Sequence, residues 1–217
     1  TWLDAFVELH EADYKAAGLE SLGNPEGYVE RQVKNWCKQY LAAATEEVIS
    51  AQKVMSWMEN NKPRNYDYSL IHNDYKYDNV VFVNDQWEKI VAVLDWEMCT
   101  LGDPLMDLGT SLGYWTTSSD ADFLKHGLPS PTTMAGNPSR TEIVHRYALK
   151  SGRNINNLTF YFAYGLFKIA VIAQQIYYRF KHGYTKDPRF EGLNKVSALC
   201  CNTAWNAIQK DRIDELY

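Results

Sequence analysis

His72, Asp74 and Asn79 fall within "LIHNDYKYDNVVF", residues 70–82, where polar groups are pressed between two apolar runs. The spacing H-x-D-x-x-x-x-N sets a carboxylate that can accept a hydroxyl proton five residues before an amide whose oxygen can hold Mg²⁺. Phosphoryl transfer asks those two services of one loop. Asp95 closes the next apolar run, in "VLDWE". A hairpin between the two runs would return its outer end beside its beginning, so Asn79 and Asp95 are expected to share one cation. One carboxylate and one amide oxygen suffice for Mg²⁺, which keeps waters and takes its remaining ligands from phosphate. The expected assignment is therefore Asp74 as catalytic base, with Asn79 and Asp95 holding the metal and, through it, a nucleotide.

Each residue also has a bland explanation. An Asp or Asn after a strand is a common turn former, and its side chain readily bonds nearby backbone. His72 is expected to hold the loop by hydrogen bonds to backbone, because the chemistry asks nothing of an imidazole there. Asp103 precedes Pro104 and reads as a helix N-cap; Asp107 falls in the first turn, where the helix dipole favours a carboxylate. Glu97 stands two residues beyond Asp95, on the same side if the chain is extended, and is a candidate to join the metal network or orient a substrate hydroxyl. Trp96 and Trp115, with Tyr75, Tyr77 and Tyr114, are either acceptor-pocket residues or core aromatics. Tyr28 and Arg31 sit where a long helix is expected to approach the acceptor. The five histidines and four cysteines form no zinc-like cluster.

The elements that must position these groups follow from periodicity. Apolar residues recur at three- and four-residue spacing up to about residue 62, predicting an opening helix, a turn at "LGNPEG" and a helical stretch from about Tyr28 that breaks near Thr45. "SLIH", "NVVFV" and "KIVAVLDW" read as short strands, the last two joined across "NDQW" as a hairpin. "GDPLMDLGTSLGYW" restarts a helix. "TTSSDADFLKHGLPSPTTMAGNPS" has loop composition and is expected to be a mobile loop or lid. Three helices are predicted over 139–150, 156–181 and 191–213. The fold class is α+β, mainly helical.

Composition removes several alternatives. A count of 22 Lys+Arg against 27 Asp+Glu gives a net charge of −5, which makes no electrostatic case for general nucleic-acid binding, since that needs a basic face. The most apolar stretch, "FYFAYGLFKIAVIAQQIYYRF", is interrupted by Lys168 and two Gln, and reads as a buried helix rather than a membrane span. The cysteines lack disulfide spacing, so a reducing cytoplasm is the expected compartment.

Taken together, "HNDYKYDN", "VLDWE" and "LGDPLMDLG" resemble the catalytic loop, metal-binding segment and following helix start of the aminoglycoside phosphotransferase family. The wording is most similar to the subgroup related to the phosphotransferase domain fused to acyl-CoA dehydrogenase in some animal proteins, and "NPEGYVERQV" is similar too. The resemblance spans essentially the whole chain. It implies a protein-kinase-like large (C-terminal) lobe with a short β-hairpin carrying the catalytic and metal residues, and ATP and Mg²⁺ as cofactors. The implied reaction is transfer of the γ-phosphoryl group to a hydroxyl of a small molecule, an aminoglycoside or a hydroxyacyl compound. It also implies that Asp107 binds catalytic-loop N–H groups.

Two departures stand out. Asn73 replaces the family's usual Gly, at a place where Asn tolerates the left-handed backbone. No Gly-rich phosphate loop and no strand lysine of Val-Ala-x-Lys type occurs, so residues 1–217 read as the C-terminal lobe alone, with the nucleotide-binding lobe absent and MgATP binding and turnover expected to be poor. A catalytically silent kinase-like binding module and a Mg²⁺-dependent phosphoesterase are the alternatives; the latter needs an activated water and more metal ligands than the sequence offers.

Overall fold

The computed structural model describes residues 1–83 and 86–217. Its first half is helical as the periodicity predicts. Helix α1 (Trp2–Glu11) buries Trp2, Phe6, Val7 and His10. Helix α2 (Tyr28–Ala43) begins after left-handed Gly27 and buries Tyr28, Val29, Val33, Trp36 and Tyr40 along one face. The chain breaks at residues 44–48 before α3 (Ile49–Asn60).

Four short strands follow among the described residues. β1 (Ser69–Ile71) pairs antiparallel with β4 (Thr100–Gly102), Leu70 opposite Leu101. β2 (Val80–Val83) pairs antiparallel with β3 (Gln86–Val93), Val80 opposite Val93. The expected hairpin is present; Asn84 and Asp85 of its turn lie outside the described residues. β4 is not among the strands the sequence predicts. Its pairing with β1, Ser69 opposite Gly102, brings the start of α4 (Pro104–Tyr114) beside the chain that enters β1, and the helix then runs back toward the residues that leave it.

The remaining helices are α5 (Asp122–Gly127), α6 (Arg140–Ser151), α7 (Leu158–Lys181) and α8 (Leu193–Lys210). α7 is buried without interruption from Thr159 to Val171 and packs between α4 and α8. It crosses α4 at two glycines: a Cβ on Gly109 would stand 2.1 Å from the Tyr161 carbonyl oxygen, and one on Gly165 would stand 2.0 Å from that of Gly109. Only residues without a side chain let these backbones approach so closely.

The expected lid over residues 116–139 is a correction. Leu124 of α5 is buried, Thr116 Oγ1 donates to the Leu128 carbonyl, and Thr132 Oγ1 donates to that of Thr116. Arg140, itself buried, pairs with Asp120. Ser, Thr and Asp give this segment a loop's composition, yet they satisfy its backbone internally and let it pack. Among the described residues no helix is long and apolar enough to cross a membrane.

Candidate active site

β1 carries the chain into the site and ends at buried Ile71. The next peptides are gripped by α4: Asp107 Oδ2 accepts from the His72 N–H at 2.6 Å, and Oδ1 accepts from the Asn73 N–H at 2.8 Å. Asp107 is braced from behind by His10, whose Nε2 lies 3.2 Å from Oδ2 while its Nδ1 lies 2.7 Å from the Tyr147 hydroxyl. Burial holds the His10 pKa below its ordinary value, with Asp107 opposing, so the neutral ring donates to Asp107 and accepts from Tyr147.

Asn73 adopts φ 68°, the left-handed turn that the sequence leads one to expect where a Gly is usual. Its side chain adds what Gly would lack. Oδ1 accepts from the Tyr28 hydroxyl at 3.1 Å, and Nδ2 donates to the Met98 carbonyl at 3.0 Å, tying the loop to α2 and to the 3₁₀ turn Trp96–Met98. The Asn73 carbonyl accepts from Lys168 Nζ of α7 at 2.6 Å.

His72 takes the structural place foreseen for it. Its Nδ1 accepts from the Asp74 N–H at 3.3 Å, which leaves the proton on Nε2 to donate to the Leu94 carbonyl at 2.8 Å. Asn79 directs both bonds of its amide nitrogen at Asp74, 2.8 Å to the carbonyl and 2.9 Å to Oδ2. The amide oxygen is thereby turned the other way. Lys76 Nζ lies 3.0 and 2.9 Å from the two Asp74 oxygens and 4.7 Å from the Tyr114 ring centroid.

The hairpin closes on the same spot. Leu94 N–H donates to the Asn79 carbonyl at 2.8 Å, so Asp95 is the next residue after the strand's last tie to Asn79. Asp95 turns left-handed at φ 60°, and its exposed carboxylate has no hydrogen bond or ion pair among the described residues. An outward amide oxygen and an unengaged carboxylate suit a hard cation. Among the described residues no cluster of three or more His, Cys, Asp or Glu forms a cage, so a cation here would complete its shell with ligand oxygens and water.

The other candidates divide. Tyr28 and Arg31 line a cavity of about 310 Å³ with Asn73 and Lys168. Asp103 is the N-cap foreseen, accepting from the Leu105 N–H at 2.8 Å, and burial pushes its pKa up to about 7. Glu97 is exposed, but residues 96–98 form a 3₁₀ turn after left-handed Asp95, so the extended-chain argument that put both carboxylates on one side does not hold. Trp96 is 44% exposed, tilts over His72 at 4.9 Å and donates to the Val93 carbonyl. Trp115, at 3% exposure, packs with Trp2 and Tyr77 and donates to the Pro138 carbonyl; it belongs to an aromatic core rather than to the cavity of Tyr28 and Arg31. Tyr75 is likewise core, stacked on Phe6 at 4.3 Å.

Lys76 and Lys168 are not singled out by the sequence pattern as site residues. Lys168 shows there only as an interruption of an apolar run. A lysine inside a helix otherwise buried all round was the available signal, since lysine is almost never fully buried without a partner.

A family model described as the phosphotransferase enzyme family matches residues 1–132. The chain is 33% identical over 205 residues to acyl-CoA dehydrogenase family member 10 of Mus musculus, covering 94% of this chain and 19% of that protein. It is 34% identical over 184 residues to acyl-CoA dehydrogenase family member 11 of Homo sapiens, covering 83% and 23%. The chain thus spans only about a fifth to a quarter of the length of these relatives. A crystal structure from Ralstonia eutropha JMP134, whose assignment as an aminoglycoside phosphotransferase is itself provisional, superposes with TM-score 0.86 at 28% identity, covering 96% of this chain and 64% of that one.

Proposed function

Because the chain belongs to the phosphotransferase enzyme family and has its kinase-like fold, we propose that the protein transfers the γ-phosphoryl group of ATP to a hydroxyl of a small molecule. The observation that carries this reading is the division of labour in Asn79: its amide nitrogen aims Asp74, while its oxygen is left, with the Asp95 carboxylate, for a cation. Asn79 and Asp95 would hold Mg²⁺, which when bound neutralises charge on the triphosphate.

Asp74 does the chemistry on the acceptor side. Its carboxylate aligns the acceptor hydroxyl and takes its proton as the hydroxyl oxygen bonds to the γ-phosphorus and the bond to the ADP oxygen breaks. Asp107, His72 and Lys168 fix the loop that presents it. Lys76 keeps a positive charge at the point of transfer. A cytoplasmic setting belongs to the same proposal, as ATP is its donor and the four cysteines are free thiols.

The test is ADP formation by the full-length protein with MgATP and a panel of hydroxylated acceptors. Asp74→Asn should lower kcat by about 10² to 10⁴, the range for losing a general base, with nucleotide affinity little changed. Full turnover in that variant sinks the assignment. Nucleotide binding without ADP from any acceptor would point to a silent module, and phosphate release at the same rate without acceptor to a phosphoesterase.

A further inference from the structure

Lys168 is a buried cation without an anion. It is 2% exposed, and its ammonium donates to the Asn73 carbonyl and lies 5.7 Å over the Trp36 ring. Among the described residues no carboxylate stands within 4 Å of it. An ammonium has three donors and strong hydration, so removing it from water to meet one carbonyl and one ring leaves much of its solvation unreplaced. Burial drives its pKa down to about 8, with Asp107 and Asp74 resisting from beyond the Asn73 peptide.

The second cation stands across the same cavity. Arg31 Nη1 and Nη2 donate to the carbonyls of Glu26 and Asn24, which curl the side chain over the start of α2. Carbonyls leave its charge uncancelled, and Arg31 has no carboxylate within 4 Å among the described residues. The cavity wall comprises Asn24, Gln32, Thr100, Met98, Trp36 and Tyr28 besides Arg31, Asn73 and Lys168, and holds no Asp or Glu. In a chain whose acidic residues outnumber its basic ones by five, a pocket lined by two cations and no carboxylate runs against the average.

Its position gives the charge a use. Asn73, one wall of the cavity, immediately precedes Asp74. A volume of about 310 Å³ lies at the small end of the range for ligand pockets. We propose that this cavity is the acceptor subsite and that Lys168 and Arg31 hold an anionic group of the acceptor, a carboxylate or a phosphate ester, with its hydroxyl directed to Asp74. This rests on the phosphotransfer reading for its use, and on the cavity alone for its ligand. A polycation such as an aminoglycoside meets repulsion in the same place.

Three probes on one carbon frame separate the possibilities: glycerol, glycerate and glycerol 3-phosphate, titrated calorimetrically into the full-length protein without Mg²⁺ or nucleotide. At least one anionic probe should bind about tenfold tighter than glycerol or better, and the stronger of the two tells carboxylate from phosphate. Arg31→Gln and Lys168→Met should each remove about tenfold of that preference. Arg31 is exposed, so its variant tests the pocket even if Lys168→Met unfolds. Equal affinity for the three probes, a preference that survives both substitutions, or tighter binding of kanamycin than of either anion overturns the proposal. ADP formation with the same probes is read separately: anion binding lost in the variants but without turnover in the parent upholds the subsite and counts against phosphotransfer.

Discussion

Asn79 holds Asp74 at two points, its amide nitrogen 2.8 Å from the Asp74 carbonyl and 2.9 Å from carboxylate Oδ2. The residue assigned to the cation therefore also sets the rotamer of the residue assigned to the proton. Asn79→Ala removes both functions at once. The half-saturating MgCl₂ concentration for turnover should rise by about 10- to 100-fold, as for other losses around a metal site, and kcat should fall with it. An unchanged MgCl₂ titration would mean that Asn79 is only a turn residue.

Asp103 is a buried carboxylate whose Oδ1 caps α4. Desolvation raises its pKa from 3.8 to about 7, against the Leu105 N–H, the Tyr161 hydroxyl and Arg153, which favour the charge. The folded state then binds more protons than the unfolded state between those values, so this group's contribution falls as pH rises from about 4 to about 7. Asp103→Asn keeps the cap and removes the buried charge. Its Tm should exceed the parent's at pH 8 by about 2 to 4 °C per kcal/mol gained, with the gap closing toward pH 5. Thermal melts at the two pH values decide it; a gap that does not change with pH refutes the coupling.

The α4–α7 crossing carries both grips on Asn73, since Asp107 lies on one helix and Lys168 on the other. Gly165→Ala places a Cβ 2.0 Å from the Gly109 carbonyl oxygen and must push the helices apart. The cost should be about 3 kcal/mol or more, or roughly 6 to 12 °C in Tm. Gly192→Ala, with nothing within 4 Å of its added Cβ, is the control and should leave Tm nearly unchanged. A Gly165→Ala protein that melts with the parent would show that the crossing is looser than its backbone distances say.

Much of the site was legible because its logic is local. The H-x-D-x-x-x-x-N spacing, the Asp103–Pro104 helix start and the left-handed turn at Asn73 are governed by steric limits and hydrogen bonds within a few residues. Hairpin closure placed Asp95 beside Asn79 for the same reason: strand pairing starts from chain neighbours. The lid expected over 116–139 failed because composition reports polarity but not whom the polar groups bond. The argument for Glu97 assumes an extended chain, and a single left-handed residue, Asp95, turns the chain before Glu97 is reached.

What the sequence determined by itself is the helix periodicity, the hairpin and the order of Asp74, Asn79 and Asp95. Tertiary structure alone decided that His10 braces Asp107 from 97 residues away, and that Lys168 reaches the Asn73 carbonyl from 95 residues away beside Arg31. Periodicity states which face of a helix is buried, not what it is buried against. A lysine in an apolar run therefore reads as a flaw until the packing of α7 on the loop shows which carbonyl it meets and which cavity it charges.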